Sequence, residues 1–553
     1  MRLIGIFNNR DFDIHNSINS QKYECLIKDK NFCLLIDIQD NRKDFFYAEN
    51  NGRHLVVSGH VADPNDINVN TRYFNKENIS KLNGSCIVIL WDSNNENLYI
   101  SRDNYGTKLL YYHFSPGKGL FFSNDLDILL KIIGQRNISR KALHEYLRFL
   151  DISPPYTIYE DLFFLEPEKI LEANEDGITL RDIPAGPLSD HYENAPLKDT
   201  VNEFKKLLYR SIEEEIEKTP RAGVFLSGGI DSALVCAVAS KINKDIKAYT
   251  VGFDDPEYNE AQIARGIADY LGIDHEIFKF SIHEDYNALN EFVSKIASPF
   301  ADPAMIPTYQ CFKRISGNVD RVLDGTGADT LIGIMPARHI RFILNYSRHI
   351  PYRLRLFLSN LLNKSEKLSS HRALFDFNEP EELLIRWKGW TKEEISLLCN
   401  ERCDLSHTRF YRLFAENIKK EPYELYSMLL GALPDDRIHQ SAALFGLNIA
   451  FPFFEQNVQE FVKKLPMEYK YKDGMSKVLF GNLLEKLIPS NIWNKPKHGF
   501  DYPFKSLLMY KDYKLPKLFL SKDTINEHGL FNPLIVEKYL QRFLYGDDSV
   551  KFK

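Results

Sequence analysis

Along the first ~180 residues, apolar positions come in short runs separated by turn-forming residues. Runs at 54–58 (HLVVS), 86–91 (CIVILW), 98–100 (LYI), 109–112 (LLYY) and 120–122 (LFF) have strand length. The DSNNEN segment at 92–97 predicts a hairpin between the second and third of them. A helix is expected from about Thr200, where Val201, Phe204, Leu208 and Ile212 fall on one side, and the acidic run at 213–215 reads as its solvated face. From 222 onward the pattern alternates. An apolar run at 224–226 leads into a glycine turn and a helical period over 230–242. A second apolar run at 246–253 is followed by a helical period over 260–271. Alternation of this kind predicts a parallel α/β sheet, and the chain from about 338 reads as mostly helical. The expected organisation is a β-rich layered domain over 1–183, a connection over 184–199 marked by Pro184, Gly186, Pro187 and Pro196, and an α/β domain over 200–553 with a helical C-terminal part.

Composition narrows the function classes. The 553 residues are 44% apolar and 26% charged, enough for two sizeable cores. Seventy Lys and Arg against 76 Asp and Glu leave a net charge of −6, which gives no general attraction for nucleic acid or an anionic membrane. Apolar runs fall short of the ~18 residues a membrane helix needs, and the segment after Arg2 is too short for a secretory core. Seven scattered cysteines read as reduced thiols, with Cys399 and Cys403 as ordinary helix packing, so a cytoplasmic location is expected. One segment departs from this average. From 338 to 364 there are six Lys or Arg and no Asp or Glu, interleaved with Phe342, Tyr346, Tyr352 and Phe357. It reads as an amphipathic helical pair with its charges in water; docking of an acidic peptide, carrier protein or phosphorylated substrate is the other reading.

The SGGIDS segment at 227–232 sits between an apolar strand and a helix. Gly228 and Gly229 let backbone N–H groups approach an anion closely, the following helix offers its positive end, and Ser227 and Ser232 add hydroxyls. Asp231 would repel phosphate unless a cation lay between them, which points to Mg²⁺ bridging it to a polyphosphate.

These residues resemble the pyrophosphate loop of ATP pyrophosphatases, and the surrounding sequence resembles the asparagine synthetase family. The YTVGF run at 249–253, NEA at 259–261, ADYLG at 268–272, His275, DPAMIP at 302–307, DGTGAD at 324–329, Pro452, Phe453, Lys477 and KPKHGF at 495–500 follow the family's order. Upstream, SRD at 101–103, Tyr105, Gly106, Phe122 and Ser123 resemble its glutamine amidotransferase domain. The resemblance implies an Ntn-like α+β amidotransferase domain followed by a pyrophosphate-loop α/β synthetase domain using ATP and Mg²⁺. It implies that Ser227, Gly228, Gly229, Ser232, Gly325, Lys477 and Lys495 line the ATP site and that Asp231 and Asp329 bind Mg²⁺. Leu226 and Val251 would meet adenine through their backbones, and Lys497 would stabilise charge developing on the phosphates.

Departures from the family pattern shape the expected activity. Glutamine-hydrolysing members begin Met-Cys-Gly; here Met1 falls on the cysteine position, Arg2 after it should block methionine removal, and the glutamine-binding Asn-Gly-Glu is represented by Ser58, Gly59 and His60. Thr326 stands where asparagine synthetases carry an acid, and Asn448, Ile449 and Ala450 replace Glu-Val-Arg. The loop at 325–329 resembles that of β-lactam synthetases, although their catalytic tyrosine is Thr326 here; lasso-peptide cyclases are also similar. The expectation is an AMP-forming ligase that joins a small-molecule or peptide carboxylate to an amine without glutamine, as a lactam, macrolactam or amide in specialised metabolism. Ammonia-dependent amidation and a silent nucleotide-binding scaffold are the alternatives. A peptide or carrier-protein partner and a homodimer stay open, and no nucleic-acid or membrane partner is expected.

Overall fold

The computed structural model describes the chain except residues 1, 9–21, 38–44, 62–72, 80, 81, 83, 104, 105, 107, 168, 184–194, 218, 254–259, 303, 364–373, 376, 378, 386–388, 432–436, 496–501, 503, 548, 549 and 551–553. Most of the predicted connection, together with Met1 and Lys497, therefore lies outside the described residues.

The N-terminal strands are β1 (Leu3–Phe7), β2 (Tyr23–Lys28), β3 (Phe32–Asp37), β4 (Phe45–Asn50), β5 (Arg53–Val61), β6 (Gly84–Asp92), β7 (Asn97–Arg102), β8 (Tyr111–Ser115), β9 (Gly119–Ser123), β10 (Phe163–Phe164), β11 (Lys169–Asn174) and β12 (Gly177–Asp182). They form two six-stranded sheets, ordered β10-β8-β9-β1-β3-β2 and β12-β11-β7-β6-β5-β4, and β6 and β7 make the predicted hairpin. Alternating side chains of both sheets meet in one core, with Trp91 fully buried against Phe7 and Phe32 at 5.8 and 5.3 Å. Its indole N–H is satisfied by Asp29 at 3.0 Å. Gly5 in β1 exists for this packing: a Cβ there would lie 1.9 Å from the Phe122 ring.

The third sheet is parallel: β13 (Ala222–Phe225), β14 (Lys247–Gly252), β15 (His275–Lys279), β16 (Arg321–Leu323) and β17 (Asn448–Ala450), in the order β15-β14-β13-β16-β17. Helices Leu197–Ile216, Ile230–Ile242, Gln456–Lys463 and Val478–Glu485 bury one face, and Met305–Ile315 and Arg437–Leu444 cover the other. The chain winds outward from β13 to β15, then returns to add β16 on β13's other side. Loops leaving the carboxyl ends of β13 and β16 therefore diverge, and this is where open α/β sheets place their ligands. The Leu197–Ile216 helix starts before Thr200, inside the stretch read as connection. Its acidic run is not simply solvated: Glu215 accepts from Arg321 of β16 at 2.9 Å and lies 3.7 Å from His60 of β5.

The Arg140–Phe149 helix, between β9 and β10 in sequence, docks on the C-terminal part. Leu147 O accepts from Trp390 N at 2.8 Å, and Leu150 O from Ala301 N at 2.8 Å. Glu145 on this helix is fully buried, accepts from Ser153 N at 3.1 Å and faces His407 at 3.8 Å. Burial pushes its carboxyl up to about 7. Between the ordinary carboxyl range and pH 7 the folded state thus holds a proton that the unfolded chain has released. Its stabilising contribution is complete at low pH and is lost as pH rises through that window. Glu145→Gln should raise the melting temperature at pH 8, by up to about 3 kcal/mol of stability, and leave it unchanged at pH 4; pH-resolved thermal unfolding checks this.

Candidate active site

The loop after β13 is folded by its own serines. Ser227 N donates to Ser232 Oγ at 3.0 Å, the two hydroxyl oxygens are 2.9 Å apart, and Gly229 N donates to Ser227 Oγ at 3.1 Å. Both hydroxyls thus bond within the loop. Gly228 packs on the next helix, where a Cβ would meet Glu260 and Ile263 at 3.2 Å. Asp231 lies in the first turn of Ile230–Ile242, at that helix's positive end.

The loop after β16 lies against it. A Cβ on Gly325 would stand 3.0 Å from Ser232 N and 3.1 Å from Asp231 C, backbone atoms that cannot swing aside. Asp324 N donates to Ala450 O of β17 at 2.9 Å and Thr326 N to Asp324 Oδ1 at 2.7 Å, so the turn presents Asp329 from the short Ala328–Ile332 helix. Gly325→Ala should cost about a hundredfold in any activity that needs both loops, by separating them, with little change in melting temperature.

Lys477 joins these loops. Its Nζ lies 2.5 Å from Asp231 Oδ2 and 2.6 Å from Asp329 Oδ1. Burial pulls a lysine down, but here the two carboxylates outweigh it and hold the ammonium above its ordinary value. The residue takes φ +61°, unusual for a long side chain, where the Tyr471–Lys472 and Met475–Ser476 hairpin enters Val478–Glu485. Two carboxylates are the share that Mg²⁺ commonly takes from protein, the rest being water and phosphate, so this pair suits that ion. Among the described residues no group of three or more His, Cys, Asp or Glu could hold a metal.

Leu226 and Val251 stand at the carboxyl ends of β13 and β14. Leu226 N–H is given to Tyr249 O at 2.9 Å, and its carbonyl accepts from Thr250 Oγ1 at 2.6 Å, leaving one lone pair. The single Thr250 proton being spent there, His275 Nε2 at 2.7 Å must be the donor to Thr250 Oγ1. Burial holds this imidazole below its ordinary value. Sequence reasoning listed His275 without this role. It also missed Asp285, whose buried carboxylate accepts from Tyr502 at 2.5 Å and from Gln310, fixing the chain just after the KPKHGF segment. Lys495 is exposed at the start of that segment.

A family model described as asparagine synthase matches residues 203–549, and one described as a glutamine amidotransferase domain matches 67–183. The chain belongs to the asparagine synthase family. Asparagine synthetase (glutamine-hydrolyzing) 1 of Bacillus subtilis (strain 168) is 28% identical over 461 residues, 79% of this chain and 70% of that one. Asparagine synthetase (glutamine-hydrolyzing) of Homo sapiens is 24% identical over 272 residues, 46% of each chain. Glutamine phosphoribosylpyrophosphate amidotransferase from B. subtilis, solved with ADP and GMP, is 11% identical, covers 59% of this chain and 74% of its own, and has a TM-score of 0.23, a likeness too slight to carry any conclusion. Membership brings the coarse activity: ATP-dependent, AMP-forming ligation that amidates a carboxylate. No helix among the described residues is long and apolar enough to cross a membrane.

Proposed function

We propose that the protein activates a substrate carboxylate as its acyl-adenylate and joins it to an amine without drawing ammonia from glutamine. The observation that carries this reading is the Lys477 bridge between Asp231 and Asp329 beside the glycine loop. Carboxylates held at a phosphate loop are of use where a polyphosphate and a divalent cation are bound together. The N–H group of Gly228, and that of Gly229 once Ser227 Oγ has turned away from it and from Ser232, receive the pyrophosphate of ATP together with the two hydroxyls. Asp231 and Asp329 would hold Mg²⁺, which would supply positive charge against the phosphates. The remaining Leu226 lone pair and the Val251 backbone meet adenine. The substrate carboxylate oxygen attacks the α-phosphorus as the bond to pyrophosphate breaks; Lys477, Lys495 and Lys497 offset charge on the leaving group. The amine nitrogen then attacks the acyl carbon, AMP departs with the bonding pair, and the amine gives up one proton.

Independence from glutamine is supported by Ser58, Gly59 and His60 in place of the glutamine-binding Asn-Gly-Glu, with His60 standing for the acid and facing Glu215 at 3.7 Å. A substrate other than aspartate is supported by Thr326, Ile449 and Ala450, which offer no charge to an α-amino acid. The carboxylate and amine then belong to one molecule or two, giving a lactam, macrolactam or intermolecular amide in specialised metabolism, a reading to which the likeness of the 325–329 loop to that of β-lactam synthetases contributes. Glutamine, ATP and Mg²⁺ incubated with the protein should release no glutamate above the uncatalysed blank. Glutamate release that depends on the protein would overturn the reading.

A further inference from the structure

The amphipathic pair expected at 338–364 is not oriented as its periodicity implies. The Arg338–Asn345 helix does turn Ile343 and Leu344 into the core. The Tyr352–Asn363 helix is reversed: Arg355 and Ser359 are its buried positions, while Leu354, Phe357 and Leu361 are 50%, 60% and 53% exposed. Arg355 accounts for the reversal. Its guanidinium donates to Phe377 O at 2.6 Å and Ile350 O at 3.2 Å and lies 3.8 Å from the Phe377 ring centroid, so the polar side is the anchored one.

Leu354, Phe357 and Leu361 stand at i, i+3 and i+7, the spacing by which one helix docks on another, and Leu356 of the same helix is also exposed. Arg353 stands beside it on the same helix and Arg338 and Arg341 on the helix before, and none of the three is ion-paired among the described residues. No Asp or Glu occurs between 338 and 363. An isologous contact with a second copy would set these arginines against their own kind. Electrostatic complementarity therefore calls for an acidic helix. The preceding helix, Arg338–Asn345, ties this segment to the active site: Arg338 follows the Asp329-bearing helix by six residues, and Tyr423, from a helix packed on Arg338–Asn345, donates to Ile332 O.

We propose that this stripe docks an acidic amphipathic helical segment of a polypeptide partner, which brings the carboxylate or the amine to the neighbouring site. The partner's role rests on the ligase reading; the docking itself does not. The test uses the full-length protein and a labelled synthetic amphipathic helix of about 18 residues with leucines at seam spacing and glutamates elsewhere. Anisotropy should report binding that weakens at least about tenfold between about 50 and 500 mM salt, and at least about tenfold in Leu354→Asp/Leu361→Asp, with that variant's melting temperature unchanged. Equal binding of a lysine-for-glutamate control peptide, no binding, or binding that survives the double variant would overturn the proposal. Co-sedimentation with phosphatidylcholine–phosphatidylglycerol vesicles that the double variant loses would assign the stripe to a membrane instead. A dimer that the variant converts to monomer would assign it to a second copy. Should the ligase reading alone fail, AMP would not form while peptide binding persisted.

Discussion

Lys477→Met is expected to lose at least about a hundredfold in ATP–pyrophosphate exchange and to become less stable unless Mg²⁺ is supplied. The substitution keeps the four-atom stem as far as Cε and the same left-handed backbone requirement, so the difference isolates the ammonium. Without it Asp231 and Asp329 face one another across the loop junction with their common cation removed. Breaking a buried pair costs about 3–5 kcal/mol, and the low end applies because Asp329 is 37% exposed. A divalent cation can supply the missing charge, so Mg²⁺ should raise the melting temperature of the variant more than that of the wild type. Thermal unfolding with and without Mg²⁺, beside exchange kinetics, reads both effects. Unchanged exchange would remove Lys477 from the chemistry and leave it a structural tie.

Asp231→Asn should lose about a thousandfold or more in exchange while remaining folded. The amide keeps the shape of the carboxylate and still accepts from Lys477, so the bridge is weakened but not emptied. The cost to the fold is small, about 0.3–1 kcal/mol for removing an acid from the first turn of Ile230–Ile242. The two variants therefore separate: Lys477→Met affects stability and activity, Asp231→Asn activity alone. Exchange near wild-type in Asp231→Asn would contradict its place at the cation.

Much of the scaffold was legible because its signals are local. β5, β6, β7 and β9 lie where compact apolar runs were bounded by turn residues, and the Ile230–Ile242 helix has the predicted bounds. β8 begins at Tyr111 rather than at 109, and β14 loses a residue at each end of its run, because strand ends are set by pairing partners. The glycine loop was readable from six consecutive residues, whereas the Lys477 bridge to Asp231 spans 246 positions and was not foreseen, family resemblance having placed Lys477 only among the residues of the ATP site. Asp285 and Tyr502 meet across 217 positions with no local pattern to announce it. The reversed Tyr352–Asn363 helix shows the limit of periodicity: leucines on either side satisfy it, and the anchoring of Arg355 on Phe377 decides between them. Glu215 taught the same lesson, since an acidic run says nothing of the Arg321 that meets it.

The most direct test of the central claim is mass spectrometry of the purified protein incubated with ATP, Mg²⁺ and a metabolite extract, with ammonium and glutamine each added or withheld. The account predicts AMP, pyrophosphate and a product lighter than its precursors by one water, formed whether or not ammonium or glutamine is present. Product that accompanies ADP and phosphate, or that forms only when glutamine or ammonium is added, would contradict it.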